Sequence, residues 1–135
     1  MAAQYSSKHG VVGRAPAELF MAFTDLRNFK QMVPQDQKID IEADYDTLKA
    51  TVQGMSMGVR VSRRLPYSLI ELQDNGAPFH FTMTLHFDDM GGCRTDFSIE
   101  VEAEISGMIK MMVGGKVKEA LDKIVDGIVA AAPAH

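Results

Sequence analysis

The sequence predicts an α+β domain in which a curved antiparallel sheet of about seven strands wraps around one long C-terminal helix, with two short helices after the first strand. Three observations predict it. From Met108 to Ala131 the apolar residues Ile109, Val113, Val117, Ala120, Leu121, Ile124 and Ile128 recur at steps of three and four, with Lys118, Glu119, Asp122, Lys123 and Asp126 opposite. Between Ile39 and Ala103 the period of the apolar residues is two, that of strands with one dry face. Near the start, Leu19, Phe20 and Phe23 give a brief helical pattern before that region begins.

Each element follows from local chemistry. Tyr5 to Arg14 reads as a first strand, interrupted by Gly10 and Gly13. Pro16 suits the first turn of a helix, where its missing N–H costs nothing, and Glu18 sits near the positive end of that helix dipole. Asp25 to Met32 reads as a second short helix, with Leu26, Phe29 and Met32 three apart and Pro34 ending it. Ile39 and Ile41 open a strand, and Glu42 to Asp46 reads as a turn. Leu48, Ala50 and Val52 alternate with Lys49, Thr51 and Gln53, and Met57, Val59 and Val61 alternate with Gly58, Arg60 and Ser62. A shorter strand covers Ser68 to Leu72, followed by the turn signal Asp74-Asn75-Gly76. Phe79, Phe81, Met83, Leu85 and Phe87 form the next dry face, and Gly91-Gly92 reverses the chain. Phe97, Ile99, Val101 and Ala103 then alternate with Glu100, Glu102 and Glu104, which places that carboxylate row on the wet side. The final helix spans ~36 Å at 1.5 Å per residue, enough to lie across the whole sheet and cover its dry face.

This order resembles the START-like helix-grip superfamily, also called SRPBCC or birch-allergen-like. Ala15-Pro16-Ala17-Glu18-Leu19-Phe20 resembles the start of its first helix, and Asp25-Leu26-Arg27-Asn28-Phe29, ending at Pro34, resembles the segment leading into its second strand. Within the superfamily, residues 93 to 131 also resemble the end of the G-type component of carbon monoxide dehydrogenase, with a charged last strand leading into a Gly-containing helix. The resemblance covers nearly the whole chain and implies a helix-grip fold over a single domain, residues 1–135. It implies less about chemistry, because the superfamily holds lipid carriers, hormone receptors, polyketide cyclases, oxygenase domains and chaperone activators.

Composition narrows the partners. Hydrophobic residues make up 46% and charged residues 24% of 135 residues, an ordinary globular balance. The net charge of −4 argues against a nucleic-acid partner, and the basic cluster Arg60, Arg63 and Arg64 is expected on a solvated strand face. The opening residues lack the apolar core of a signal peptide, and no window approaches the ~20 apolar residues of a membrane span. The single cysteine, Cys93, fits a reducing compartment, so a cytoplasmic protein is expected.

No motif for metal, cofactor or nucleophilic catalysis emerges. His80 and His86 lie six residues apart on one strand, ~20 Å at 3.3 Å per residue, too far to share an ion. Gly114-Gly115-Lys116 is followed by Val117 instead of Ser or Thr, so it is no phosphate loop. Each of these helix-interior glycines costs about 1 kcal/mol against alanine, which suggests close packing or space for a ligand. Tyr5, Tyr45 and Tyr67 could supply a pocket hydroxyl, but none receives a catalytic role. No metal and no cofactor are expected, and the reading leans against an enzyme.

The expected function is binding of a small apolar or amphipathic molecule between the sheet and the C-terminal helix. The expected lining is Met57, Val59, Phe81, Met83, Val101, Met108, Val113 and Val117, with Phe29 and Met32 near one rim. Methionine suits such a wall because its thioether adapts to irregular shapes. Two alternatives stand beside it: an accessory protein that binds a larger enzyme, a membrane surface or a second copy of itself, and a small cyclase or hydrolase using the same pocket.

Overall fold

The structure, a computed structural model, describes residues 2–28, 39–52, 55–76, 80–104 and 107–132. Within these, only the backbone is described for residues 2, 3, 39, 52, 55, 107–116 and 120. In chain order the elements are β1 (Ala2–Ser6), β2 (Gly10–Val12), α1 (Pro16–Thr24), a 3-10 turn (Leu26–Asn28), β3 (Ile39–Ala43), β4 (Thr47–Val52), β5 (Met55–Leu65), β6 (Leu69–Asp74), β7 (His80–Asp89), β8 (Thr95–Glu104) and α2 (Gly107–Ala131). All strands join one antiparallel sheet in the order β1-β8-β7-β6-β5-β4-β3, with β2 also paired to β8.

Among the described residues eight strands stand where about seven are expected, because the first is split. Ser6 pairs with Glu100 and Gly10 with Phe97, so one extra residue is accommodated between them. Ser7 bridges the break: its N–H donates to Ile99 O and its hydroxyl accepts from Ile99 N–H, both at 2.8 Å. The interruption therefore falls at Ser7–His9 and not at the glycines. Gly10 serves a different need, since a Cβ there would lie 2.6 Å from Val125 Cγ1 and Val129 Cγ2 of α2.

The core side of the sheet carries the residues that alternation assigns to it. Ile70, Leu72, Phe81, Leu85, Phe87, Phe97, Ile99, Val101 and Ala103 are buried, and Glu100, Glu102 and Glu104 are exposed. Among the described residues two helices share the cover. α1 packs on β6 and β7, and the described contacts of α2 are with β1, β2 and β8, so α2 is not the sole lid. Phe23, Phe87 and Phe97 form a triangle of rings with centroids 5.6 to 6.0 Å apart, and Phe20 meets Phe87 edge-on at 6.4 Å, which close-packs the α1 end.

Among the described side chains of α2, Leu121 and Val125 are buried, with Val117, Ile128 and Val129 partly buried against the core. Ile124, expected on that stripe, is 43% exposed, because the contact row advances by four residues from 117 to 121 to 125. The expected turn at Glu42–Asp46 begins later, since β3 pairs with β4 as far as Ala43 opposite Leu48. The second short helix is a 3-10 turn over Leu26–Asn28, and its expected continuation to Met32 lies outside the described residues.

Arg64 is a further correction. The register between β5 and β6 shifts between Val61 and Arg63, and Arg64 then stands opposite the buried Ile70. The bulge turns its side chain off the solvated face, where Arg60 and Arg63 remain. Its guanidinium donates to Thr24 Oγ1 (2.5 Å), Thr24 O (2.9 Å) and Asp46 Oδ1 (2.7 Å), and stacks over the Tyr45 ring with Cζ 4.7 Å from the centroid. One cation thus fastens the last turn of α1 to the β3–β4 turn.

Candidate functional site

Cross-strand register builds the candidate pocket wall. Val61 faces Leu72, Leu72 faces Met83, Met83 faces Val101 and Val101 faces Tyr5, a single row across the core side of five strands. Beside it Leu48 faces Val59 and Phe81 faces Ala103, and Ala50 faces Met57 one step further on. Burial is uneven along these rows. Leu72, Phe81, Val101 and Ala103 are buried, whereas Tyr5, Leu48, Met57, Val59, Val61, Met83 and Val117 pack against the core and stay partly accessible. A row of inward apolar side chains that solvent still reaches is what an apolar cleft presents to a ligand.

Of the residues expected to line the site, the structure brings Met57, Val59, Phe81, Met83 and Val101 onto one face and sets Val117 against the same core. Phe29 and Met32 lie outside the described residues. Met108 and Val113 lie on α2, whose backbone is helical there and whose side chains at these positions are not described; the same holds for Gly114 and Gly115.

Tyr5, named from the sequence only as a possible pocket hydroxyl and not among the expected lining, belongs to this candidate wall. Its hydroxyl is buried and has no hydrogen-bond partner among the described residues, a situation that costs roughly 1–3 kcal/mol for a polar group. The signal was the strand parity of Tyr5 and Ala3 against the polar Gln4 and Ser6. The ring also lines a surface groove of about 590 Å³ between β1 and the flank of α2, with Lys8, Lys118, Glu119, Asp122, Lys123 and Asp126 around it.

Carboxylates near the wall are already engaged. Asp74 accepts from Phe81 N–H (3.0 Å) and His80 Nδ1 (3.1 Å), and the Phe81 amide chiefly holds its carboxyl below the usual range. Asp122 accepts from the Lys8 backbone N–H at 2.6 Å, which chiefly lowers its pKa, with Lys118 adding to the effect. His9 Nδ1 meets Asp96 (3.0 Å) and His80 Nδ1 meets Asp74 (3.1 Å), whereas His86 Nε2 lies 3.6 Å from Glu100 and is buried without a hydrogen-bond partner among the described residues. Among the described residues no group of three or more His, Cys, Asp or Glu could hold a metal ion, and no helix is long and apolar enough to cross a membrane.

Comparison with known proteins agrees at the level of fold. The chain superposes on norcoclaurine synthase from Thalictrum flavum with a TM-score of 0.75 at 13% identity, over 97% of this chain and 86% of that one. It matches the Mll3558 protein from Rhizobium loti with a TM-score of 0.69 at 12% identity, over 96% of each chain. Protein CV1439 from Chromobacterium violaceum follows the same trace with a TM-score of 0.55 at 18% identity, over 92% of this chain and 96% of that one. No family model and no curated protein matches the sequence. The chain shares the helix-grip fold of these solved structures, a curved antiparallel sheet packed against a long C-terminal helix.

Proposed function

We propose that this protein binds a small apolar or amphipathic molecule between the core side of the sheet and α2, as a non-catalytic carrier or sensor. The observation that carries the reading is the set of inward apolar side chains, Met57, Val59, Met83 and Val117 among them, that pack on the core without being buried. Covering them with a ligand removes apolar surface from water at about 25 cal/mol per Å². The likeness to norcoclaurine synthase, whose structure has been solved in complex with dopamine and hydroxybenzaldehyde, supports a fold able to enclose small aromatic molecules. A cyclase- or synthase-type enzyme is the second reading, favoured by the buried Tyr5 hydroxyl. No acid or base hydrogen-bonds that hydroxyl among the described residues, so general acid–base work there lacks its second member.

Native mass spectrometry of freshly purified protein tests the reading. The expected result is a fraction carrying one additional small mass, which extraction identifies as an apolar or amphipathic compound. Protein of bare mass that also fails to take up an apolar fluorescent dye at one equivalent contradicts it.

A further inference from the structure

Tyr5 is the polar group that an apolar binding site leaves unexplained. It stands opposite Val101, which stands opposite Met83, so its ring belongs to the same wall. Its hydroxyl is buried without a partner among the described residues, although a phenol can both donate and accept. Tyr5 also lines the groove between β1 and α2, at the β1 end of the apolar row.

The charges around that groove satisfy one another. Lys8 pairs with Asp126, Lys118 with Asp122 at 3.2 Å and Lys123 with Glu119 at 3.3 Å. Three cations and three carboxylates leave no net charge to attract an ion, and the Tyr5 hydroxyl remains the polar group still in want of a partner. The chemistry that completes this end of the site is a neutral oxygen or nitrogen able to hydrogen-bond, carried on an apolar body.

We propose that the ligand is amphipathic and uncharged, its apolar part lying against Met83, Val101 and Val117 and one hydroxyl or carbonyl group hydrogen-bonded to Tyr5 at the β1–α2 seam. This rests on the reading of the cleft as a ligand site. It adds the class of molecule and the direction in which it lies.

The test is titration of the full chain and its Tyr5→Phe variant with an isosteric pair, naphthalene and 2-naphthol, followed by the probes' own fluorescence. Tyr5→Phe should weaken 2-naphthol about 5–10-fold and leave naphthalene within about twofold, the discrimination expected of one hydrogen bond. The variant should melt no lower than the parent, because no protein hydrogen bond is removed. If both probes bind and the variant changes neither, or changes both equally, the role of Tyr5 is overturned and the cleft stands. If neither probe binds the parent chain, the cleft reading falls and this proposal with it. A lower melting temperature in Tyr5→Phe would assign the hydroxyl a structural partner and also overturn the proposal.

Discussion

Gly10→Ala should loosen the seam between β2 and α2. A Cβ at this position would sit 2.6 Å from Val125 Cγ1 and Val129 Cγ2, against ~3.5–4.0 Å for carbon atoms in favourable contact. Neither methyl can swing aside, because valine in a helix is held in essentially one rotamer and Val125 is fully buried. Relief therefore requires α2 to move outward by about 1 Å. That movement strains the hydrogen bonds from Gly13 N–H to Ala132 O (2.6 Å) and from Lys8 N–H to Asp122 Oδ1 (2.6 Å). Overpacking of this kind costs about 1–3 kcal/mol. Against it stands a gain of about 0.4–1 kcal/mol from the stiffer unfolded chain that alanine gives. The net loss reaches about 2.6 kcal/mol, and with unfolding entropy near 2.1 cal/mol/K per residue that lowers Tm by up to about 9 °C for a chain of this length. Thermal unfolding followed by circular dichroism measures it. Adding Val129→Ala, which makes room for the new methyl, should recover part of the loss in a double-mutant cycle. A Gly10→Ala protein that melts at or above the parent temperature would refute the close approach of α2 to β2.

Two further perturbations address other joints of the fold. Arg64→Met keeps the aliphatic stem but removes the donors to Thr24 and Asp46, and should cost about 1–2 kcal/mol, discounted for partial exposure; an unchanged denaturant midpoint would show that α1 is not fastened there. Asp122 is held below its usual pKa of 3.8 in the folded chain, so its contribution is present above pH 3.8 and is lost as pH falls through the lower folded value; Asp122→Asn should flatten the decline of Tm with acid below about pH 4, and a parallel decline in both proteins would contradict the assigned Lys8 contact.

Much of the fold was legible because its strands alternate cleanly. From Phe81 to Phe87 and from Phe97 to Ala103 every apolar residue faces the core, and the carboxylates at 100, 102 and 104 face solvent, as a period of two requires. Arg64 was misplaced because a bulge changes parity without any signal in residue type. Ile124 was misplaced because a 3.6-residue period leaves two candidate apolar rows on α2, and only the β2 surface, through Gly10, selects the one containing Val125. The share of cover given to α1 depends on the Phe20, Phe23, Phe87 and Phe97 cluster, a long-range arrangement that local periodicity does not encode. The placement of Met57, Val59, Phe81, Met83 and Val101 on the core side of the sheet followed from alternation alone. Parity also places Tyr5 on that side, but the sequence carries no mark of whether its hydroxyl will find a partner.

The central claim is that space for a ligand remains between the sheet and α2, and Val117→Phe tests it most directly. Val117 is partly buried and packs against the core one turn before Leu121. If the space beneath it is open, the phenyl ring fills it and adds buried apolar contact. If it is closed, the added volume forces strain of about 1–3 kcal/mol. One titration with an apolar fluorescent dye, run on parent and variant alongside their melting curves, separates the two. The parent should bind one equivalent of dye, while Val117→Phe should bind none and melt no lower. A variant that is clearly destabilised, or that binds dye as the parent does, would contradict the pocket.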